Sequence, residues 1–507
     1  MNAKYRLTTG LLASALMAGC ALSPVNDRVP VQIPTKWSNA SGLEGADETR
    51  DLAGWWKGFG DPILNDLITK ALAANHDLKI AAARVREARA FVTAAESALY
   101  PSLDASASAG RNKSFERLPK PTIGQAASVG VAAAWELDLF GGNRLDAIAA
   151  SAQAGAAEEA RHAVQVGLLA QVATNYLELR GVQKQAAILR ENIALQQERL
   201  RVLEARYHAG LATELDVTRQ RALLHTTEGA LPTLTNVTAT LIHRLGVLLG
   251  EPPASLEAQL GQAAPLPSAL PKMPALLPSE LLSQRPDVRR AQDEVTAAAA
   301  SLGSAKTDLF PKFFLAASGG RSTLELGALP RITGNVFSLG LGLAAPLFNA
   351  GRIRATIEAS DARLAQVAAI YEKTFLVALE DVENAFIAHA TARDHRAQLQ
   401  QAAEATARAH DLADAFYTRG VTDFLSVLDA QRAKLSAEDE LTKAETAVTV
   451  SMVSLYRAFG GGWEANLPPA VASSERSPAA SEPIRAQRRQ QEPLIEDAVH
   501  VDAFYSR

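Results

Sequence analysis

Residues able to do covalent or metal chemistry are sparse in this sequence, and their spacing suits little of it. The nine histidines are scattered, with no His-Glu-x-x-His pair and no phosphate loop. His76, His162, His208, His225 and His243 fall on helical patterns, where they read as surface residues rather than metal ligands. Cys20 is the single cysteine, which excludes an intrachain disulfide, a cysteine zinc cluster and a second thiol as nucleophile. Gly340-Leu341-Gly342-Leu343-Ala344-Ala345 fits a dinucleotide fingerprint, with Asp361 following. Pro346 and a turn intervene before the next helix, however, and no strand–helix alternation surrounds it. No catalytic residue, metal ligand or cofactor is expected.

The chemistry that Cys20 does suit is acylation. Lys4 and Arg6 precede an apolar run, Leu7 to Ala18, too short to span a bilayer, and small residues follow, as in an export signal. Leu16-Met17-Ala18-Gly19-Cys20 matches a bacterial lipobox, with Met17 where Leu is usual. Ala21, rather than Asp, after the cysteine resembles lipoproteins sorted to the outer membrane. The plainer alternative is an ordinary cleaved signal with a chance cysteine.

With 48% apolar residues and a formal net charge of −4, the chain has material for a sizeable core and no long-range pull on nucleic acid. The basic run RAQRRQQ at 485–491 lies in a stretch rich in Ala, Ser, Pro, Glu and Arg and reads as a solvated, disordered tail.

The elements that position these residues are written twice. Leu99-Tyr100-Pro101 matches Leu309-Phe310-Pro311, Arg206-Tyr207-His208-Ala209-Gly210 matches Phe416-Tyr417-Thr418-Arg419-Gly420, and Leu249-Gly250 matches Phe459-Gly460. Each pair is offset by 210 positions (311 − 101). Phe140 to Arg144 matches Phe348 to Arg352 at 208, and Gln220-Arg221-Ala222 matches Gln431-Arg432-Ala433 at 211, which predicts small insertions between the copies. Each half reads helix, strand, strand, long helix, short turn, long helix. Leu169, Val172, Tyr176, Leu179, Val182, Ala186, Leu189, Ile193, Leu200, Leu203 and Tyr207 make a near-heptad seam broken at Gln196. The second copy runs from Gly351 to about Arg419 without an internal proline or glycine, a helix of about 100 Å at 1.5 Å per residue. The expected organisation is signal peptide 1–19, lipid-anchored extended segment 20–60, first repeat 61–250, Pro-rich extended connector 251–278, second repeat 279–463 and tail 464–507.

Strict alternation of large apolar with small or polar residues predicts strands at about 102–112, 126–139, 312–321 and 335–347. Phe337, Leu339, Leu341 and Leu343 alternate with Ser338, Gly340, Gly342 and Ala344. Each strand is about as long as a tilted membrane crossing of roughly 9–11 residues. Four strands cannot close a membrane barrel, which needs about eight, so several chains must pool theirs, leucines to lipid and glycines and serines to a water-filled lumen. The alternative is a soluble hairpin in each copy, packed on the helices.

Ala74-Asn75-His76-Asp77-Leu78 leading to Ala88-Arg89-Ala90, Gln284-Arg285-Pro286-Asp287-Val288, and Leu428-Asp429-Ala430-Gln431-Arg432 resemble the recurring motifs of TolC-like outer-membrane efflux proteins, nearest the NodT/OprM-type lipoprotein branch. The first copy shortens the last motif to Leu215-Asp216-Val217-Thr218-Arg219-Gln220-Arg221. The resemblance implies a homotrimer whose twelve pooled strands form an outer-membrane β-barrel continuous with a long α-helical, coiled-coil barrel in the periplasm. It implies no enzyme activity, but a passive conduit for small toxic compounds. A periplasmic adaptor docks on the helical tips, and an inner-membrane pump of the RND type supplies energy. A duct for secreted proteins and a pore-free scaffolding lipoprotein are the competing functions.

Gly210 and Gly420 sit between paired long helices, where a left-handed residue reverses the chain. By resemblance these turns are the periplasmic tips, which makes Leu211, Thr213, Glu214, Leu215, Val421, Asp423, Phe424 and Leu425 adaptor contacts; plain capping, with Thr213 and Thr422 as N-caps, is the alternative. Asp411 and Asp414 precede the second tip, and three copies of an inward aspartate would form an acidic, cation-attracting constriction. A solvated helix face explains them equally. Arg206, Tyr207, Tyr417 and Arg419 stand nearby as gate partners, in pairs weak enough, about 0–1 kcal/mol each, for docking to open.

Overall fold

Helical and two-residue periods follow each other through the fold in the order in which the sequence writes them. The computed structural model describes residues 33–39, 52–114, 122–272, 278–280, 284–326 and 331–463. The expected signal peptide, Cys20 and the expected tail 464–507 lie outside the described residues.

The first copy comprises α1 (Pro62–Ala74), α2 (His76–Ser97), β1 (Ser102–Ser114), β2 (Thr122–Leu137), α3 (Gly142–His208) and α4 (Glu214–Leu248). After a one-turn helix α5 (Glu257–Leu260) in the connector, the second gives α6 (Pro286–Thr307), β3 (Lys312–Leu326), β4 (Ile332–Ala344), α7 (Arg352–Thr418) and α8 (Phe424–Ala458). The connector is thus not extended throughout. β2 and β4 begin earlier and stop sooner than their alternation predicted, and β3 runs on to Leu326.

The two copies keep one offset from end to end. α2 and α6, α3 and α7, and α4 and α8 begin and end 210 residues apart (352 − 142). The expected insertions are therefore absent from the described helices. A left-handed N-cap glycine sets the start of each long helix, Gly141 at φ 82° and Gly351 at φ 87°. Phe140 thus corresponds to Ala350, not to Phe348, and the motif that matched at 208 has slid by two residues along the chain.

α3 and α7 each have 67 residues, a length of about 100 Å. The main core forms where α1 and the 3-10 turn Trp55–Phe59 cover the middle of α3: Leu64, Leu67 and Ile68 meet Leu169, Val172, Tyr176 and Leu179. Tyr176 donates to Asp61 at 2.6 Å, and burial, then this bond, pushes its hydroxyl pKa up to about 12. Gln196, the break in the seam, is itself buried and donates to the Thr227 hydroxyl at 3.2 Å. His162 is also buried, against the expectation of a surface position, with Nδ1 3.2 Å from Glu159 and its ring stacked on Trp463. No described helix is long and apolar enough to cross a membrane.

Candidate functional site

The four strands form one antiparallel sheet in the order β1-β2-β3-β4. Its register aligns the alternation of all four. Leu103 faces Ala133, which faces Ala317, which faces Leu339, while the next row is Asp104, Ala132, Ser318 and Ser338. Period-two side-chain geometry puts these rows on opposite faces. On the polar side Ser108 and Ser128 share a hydrogen bond of 2.9 Å, and Ser318 and Ser338 one of 2.7 Å. On the apolar side Leu103, Val129, Val131, Phe337, Leu339, Leu341 and Leu343 are all exposed. No helix covers β4, which is exposed along its whole length. That removes the soluble-hairpin alternative, in which the leucines would pack on helices.

Aromatic residues collect where strands meet helices. Phe140 stacks on Phe310 with centroids 4.8 Å apart, Trp135 donates to the Leu99 carbonyl at 3.1 Å, and Tyr100 is exposed. Such a ring belongs at a membrane–water boundary. β1 and β4 present their outer edges unpaired in the described chain, a state that hydrocarbon does not tolerate.

At the other end of the long helices the two turns come together. Gly210 and Gly420 both have φ 74°, and in each turn the next residue donates back to the helix, Leu211 to the Arg206 carbonyl and Val421 to the Phe416 carbonyl. Thr213 caps α4 through a box with Asp216. In the second copy the cap is Asp423, which accepts from the Ser426 amide at 3.1 Å and hydroxyl at 2.8 Å. Thr422, the expected cap, instead donates to the Ser426 hydroxyl. Carboxylate and hydroxyl have exchanged places between the copies, since Thr213 corresponds to Asp423 and Asp216 to Ser426. The Ser426 hydroxyl and amide hold the Asp423 carboxyl below the usual range.

A groove of about 440 Å³ joins the two turns, lined by Gly210, Leu211, Thr213, Tyr417, Asp423 and Leu425 among others. Leu211, Leu215, Val421 and Leu425 are exposed, as docking residues must be. Phe424 is not. It is buried with Leu203, Val217, Leu223, Val427 and Leu428 in a small core that holds the tips together, and its ring lies 5.4 Å from that of Tyr417.

The gate candidates divide. Asp414 is paired with Arg199 of α3 at 3.0 Å, and the Arg206 guanidinium lies 5.4 Å from the Tyr417 ring centre. Asp411 is exposed on α7 beside His410 at 3.3 Å, and Tyr207 is exposed beside His208. Arg419 is exposed in the turn. Arg199 escaped the sequence reading, although Arg199 and Arg206 stand a heptad apart, facing Asp414 and Tyr417 one turn apart. No cluster of metal-binding side chains occurs among the described residues.

The comparisons agree with this geometry. Residues 67–251 and 277–461 each match the family model described as outer membrane efflux protein. The pyoverdine export outer membrane protein OpmQ of Pseudomonas aeruginosa is 33% identical over 463 residues, covering 90% of this chain and 96% of its own. The solvent efflux pump outer membrane protein SrpC of Pseudomonas putida is 32% identical over 462 residues, covering 89% and 97%. The solved outer-membrane channel OprN superposes with a TM-score of 0.79 at 33% identity, over 88% of this chain and 100% of that one. CusC superposes at 0.77 with 27% identity, over 87% and 100%. This chain belongs to the outer membrane efflux protein family.

Proposed function

We propose that this chain is the outer-membrane exit duct of a tripartite efflux assembly and that its paired tips dock the periplasmic adaptor. As in its family, three copies supply the twelve strands of one barrel, in the outer membrane, and the long helices continue the passage into the periplasm. One observation carries the reading: a four-stranded sheet with two open edges, one face of it apolar from the row of Phe313 and Leu343 to the row of Gly319 and Phe337, stands on helices of about 100 Å. Such a sheet is stable in lipid only when other copies close it. The duct itself is passive, an inner-membrane pump of the RND type supplies the energy, and the family is one of channels rather than enzymes.

OpmQ and SrpC are named for pyoverdine and solvent export, and CusC for cation efflux. A wide aqueous tunnel discriminates little between solutes, so choice of cargo falls to the pump, and small toxic compounds are the class proposed here. The exposed tip residues Leu211, Leu215, Val421 and Leu425, with Gly210, Thr213, Gly420 and Asp423 shaping their turns, form the docking surface. Asp411, Asp414, Arg206, Tyr417 and Arg419 line the approach to the gate. Cys20 carries the lipid anchor.

The test is a tip variant, Leu211→Asp with Val421→Asp, in the host organism. Sensitivity to solvents, drugs or metals should rise to that of the deletion strain while the trimer still reaches the outer membrane. Unaltered sensitivity with a loss of secreted protein in the deletion strain would instead mark a protein-secretion duct.

A further inference from the structure

Between the connector and the long helices lies a cavity of about 570 Å³ that the channel reading does not use. It is lined by α3, by α8, by Arg396 of α7 and by connector residues 263–268 and 270, all of one protomer. Its volume is that of a site for a drug-sized molecule. Two side chains of α3 fix the connector beside it. Gln183 donates to the Leu260 carbonyl at 2.6 Å, and Arg180 donates to the Gln262 carbonyl at 3.1 Å and to Gln183 at 2.7 Å. The chain then runs on through Pro265 and Pro267, which have no N–H to offer, so the lining is largely apolar: Ala187, Pro265, Leu266, Pro267, Leu270 and Val448.

The charges around this apolar lining do not balance. Arg180 is 1% exposed, its Nε has no hydrogen-bond partner, and no carboxylate pairs with it among the described residues. A buried cation without a counter-ion is costly. Gln183, to which Arg180 is bonded, lines the cavity. Arg396 lines it too, exposed and with neither an ion pair nor a hydrogen bond among the described residues. Lys184 is paired with Glu445. Three cations thus stand against one carboxylate. The repeat shows that helix packing does not demand the buried one, since α7 reaches the same length as α3 with Ala390 in the place of Arg180 (390 − 180 = 210). The buried guanidinium is particular to the copy that the connector covers.

We propose that this cavity binds a small organic anion, a carboxylate carried on an apolar body. Arg396 takes the carboxylate through its planar fork, and the uncompensated charge of Arg180 adds to the attraction. The apolar body lies against the prolines and Leu266 of the connector. An inorganic anion lacks the body and a neutral analogue lacks the charge, so each binds more weakly. Bound there, the anion links α7 to α3 and α8.

Ala187 is exposed and lines the cavity, so Ala187→Cys puts a maleimide-reactive thiol inside it, with the unsubstituted chain as background. In full-length protein purified in detergent, naproxen, a carboxylate on a naphthalene, should slow the labelling of A187C saturably. Its primary-alcohol analogue and inorganic phosphate should not. Arg396→Gln, a change at an exposed side chain, should weaken the protection by naproxen about tenfold, the worth of one charged hydrogen bond. No protection by naproxen, equal protection by the alcohol or by phosphate, or unchanged affinity in R396Q would overturn the proposal. Labelling is read within one chain, so these outcomes stand apart from the number of chains in the particle, on which the channel reading depends.

Discussion

Asn75 and Arg285 stand at corresponding positions of the two copies and make the same long-range bond. Asn75 Nδ2 donates to the Leu248 carbonyl at 2.8 Å, and Arg285 Nη1 donates to the Ala458 carbonyl at 3.0 Å. Each ties the N-terminus of an upper helix to the C-terminal end of a returning one, closing the repeat on itself. Asn75 also accepts from the Leu78 amide as the cap of α2, whereas Arg285 spends its remaining donors on Asp287 and Asp381. Two recurring family motifs are thus joints of the scaffold.

The joints should differ in cost. Asn75→Ala leaves one buried carbonyl short of a partner, a loss of about 1–3 kcal/mol. Arg285→Ala leaves the Ala458 carbonyl short of a partner in the same way and also unpairs the half-exposed Asp287 and Asp381, so it should cost more than Asn75→Ala by up to about 1 kcal/mol for each pair. Thermal unfolding followed by circular dichroism in detergent checks the order. Equal losses would contradict the charged role of Arg285.

At the tips, the Arg199–Asp414 pair is partly exposed and worth about 0–1 kcal/mol, small enough for docking to break. Asp414→Ala and Arg199→Ala should each raise single-channel conductance, and the double variant should add little to either. Strictly additive increases would show that the two residues do not act as a pair.

Cap chemistry gives a local prediction. Thr213→Ala removes the side-chain acceptor for the Asp216 amide and should cost about 1 kcal/mol at the start of α4. Hydrogen exchange of amides 214–217 should quicken severalfold while the tip of the second copy, capped by Asp423, keeps its protection.

Depth and face decide what the strands accept. Leu339→Arg puts a charge on the apolar side near the middle of β4, at about 2–4 kcal/mol per copy, and should block insertion. Gly340→Ser, one residue along on the other face, meets open space and should insert normally. Membrane fractionation of the two variants gives the comparison.

His389 makes the fold sensitive to acid. Burial, and then the nearby Arg393 charge, lowers its pKa, and its ring meets the Ser451 hydroxyl at 2.9 Å. A base with a depressed folded-state pKa gives stability that is present above about pH 6.5, its unfolded value, and is lost as pH falls through the folded value. The melting temperature should therefore fall between pH 7.5 and 5.5, and His389→Gln should flatten that slope.

Local periodicity and spacing made much of this molecule legible in the sequence. Leu339, Leu341 and Leu343 announced a two-faced strand because period two depends only on neighbours, and Gly210 and Gly420 announced turns because only a left-handed residue reverses a helix there. What escaped was nonlocal. Phe424 looked like surface beside exposed Val421 and Leu425, yet its burial depends on Leu203 and Val217 from the first copy. His162 sat on a helical pattern whose covering face is supplied by Trp463, three hundred residues on. Arg199 became a gate candidate only when α7 brought Asp414 beside it.

Planar-bilayer recording of the purified full-length protein tests the channel most directly. Discrete, long-lived conductance steps from particles containing three chains are the expected result. Folded protein that remains a single chain and gives no steps would contradict it.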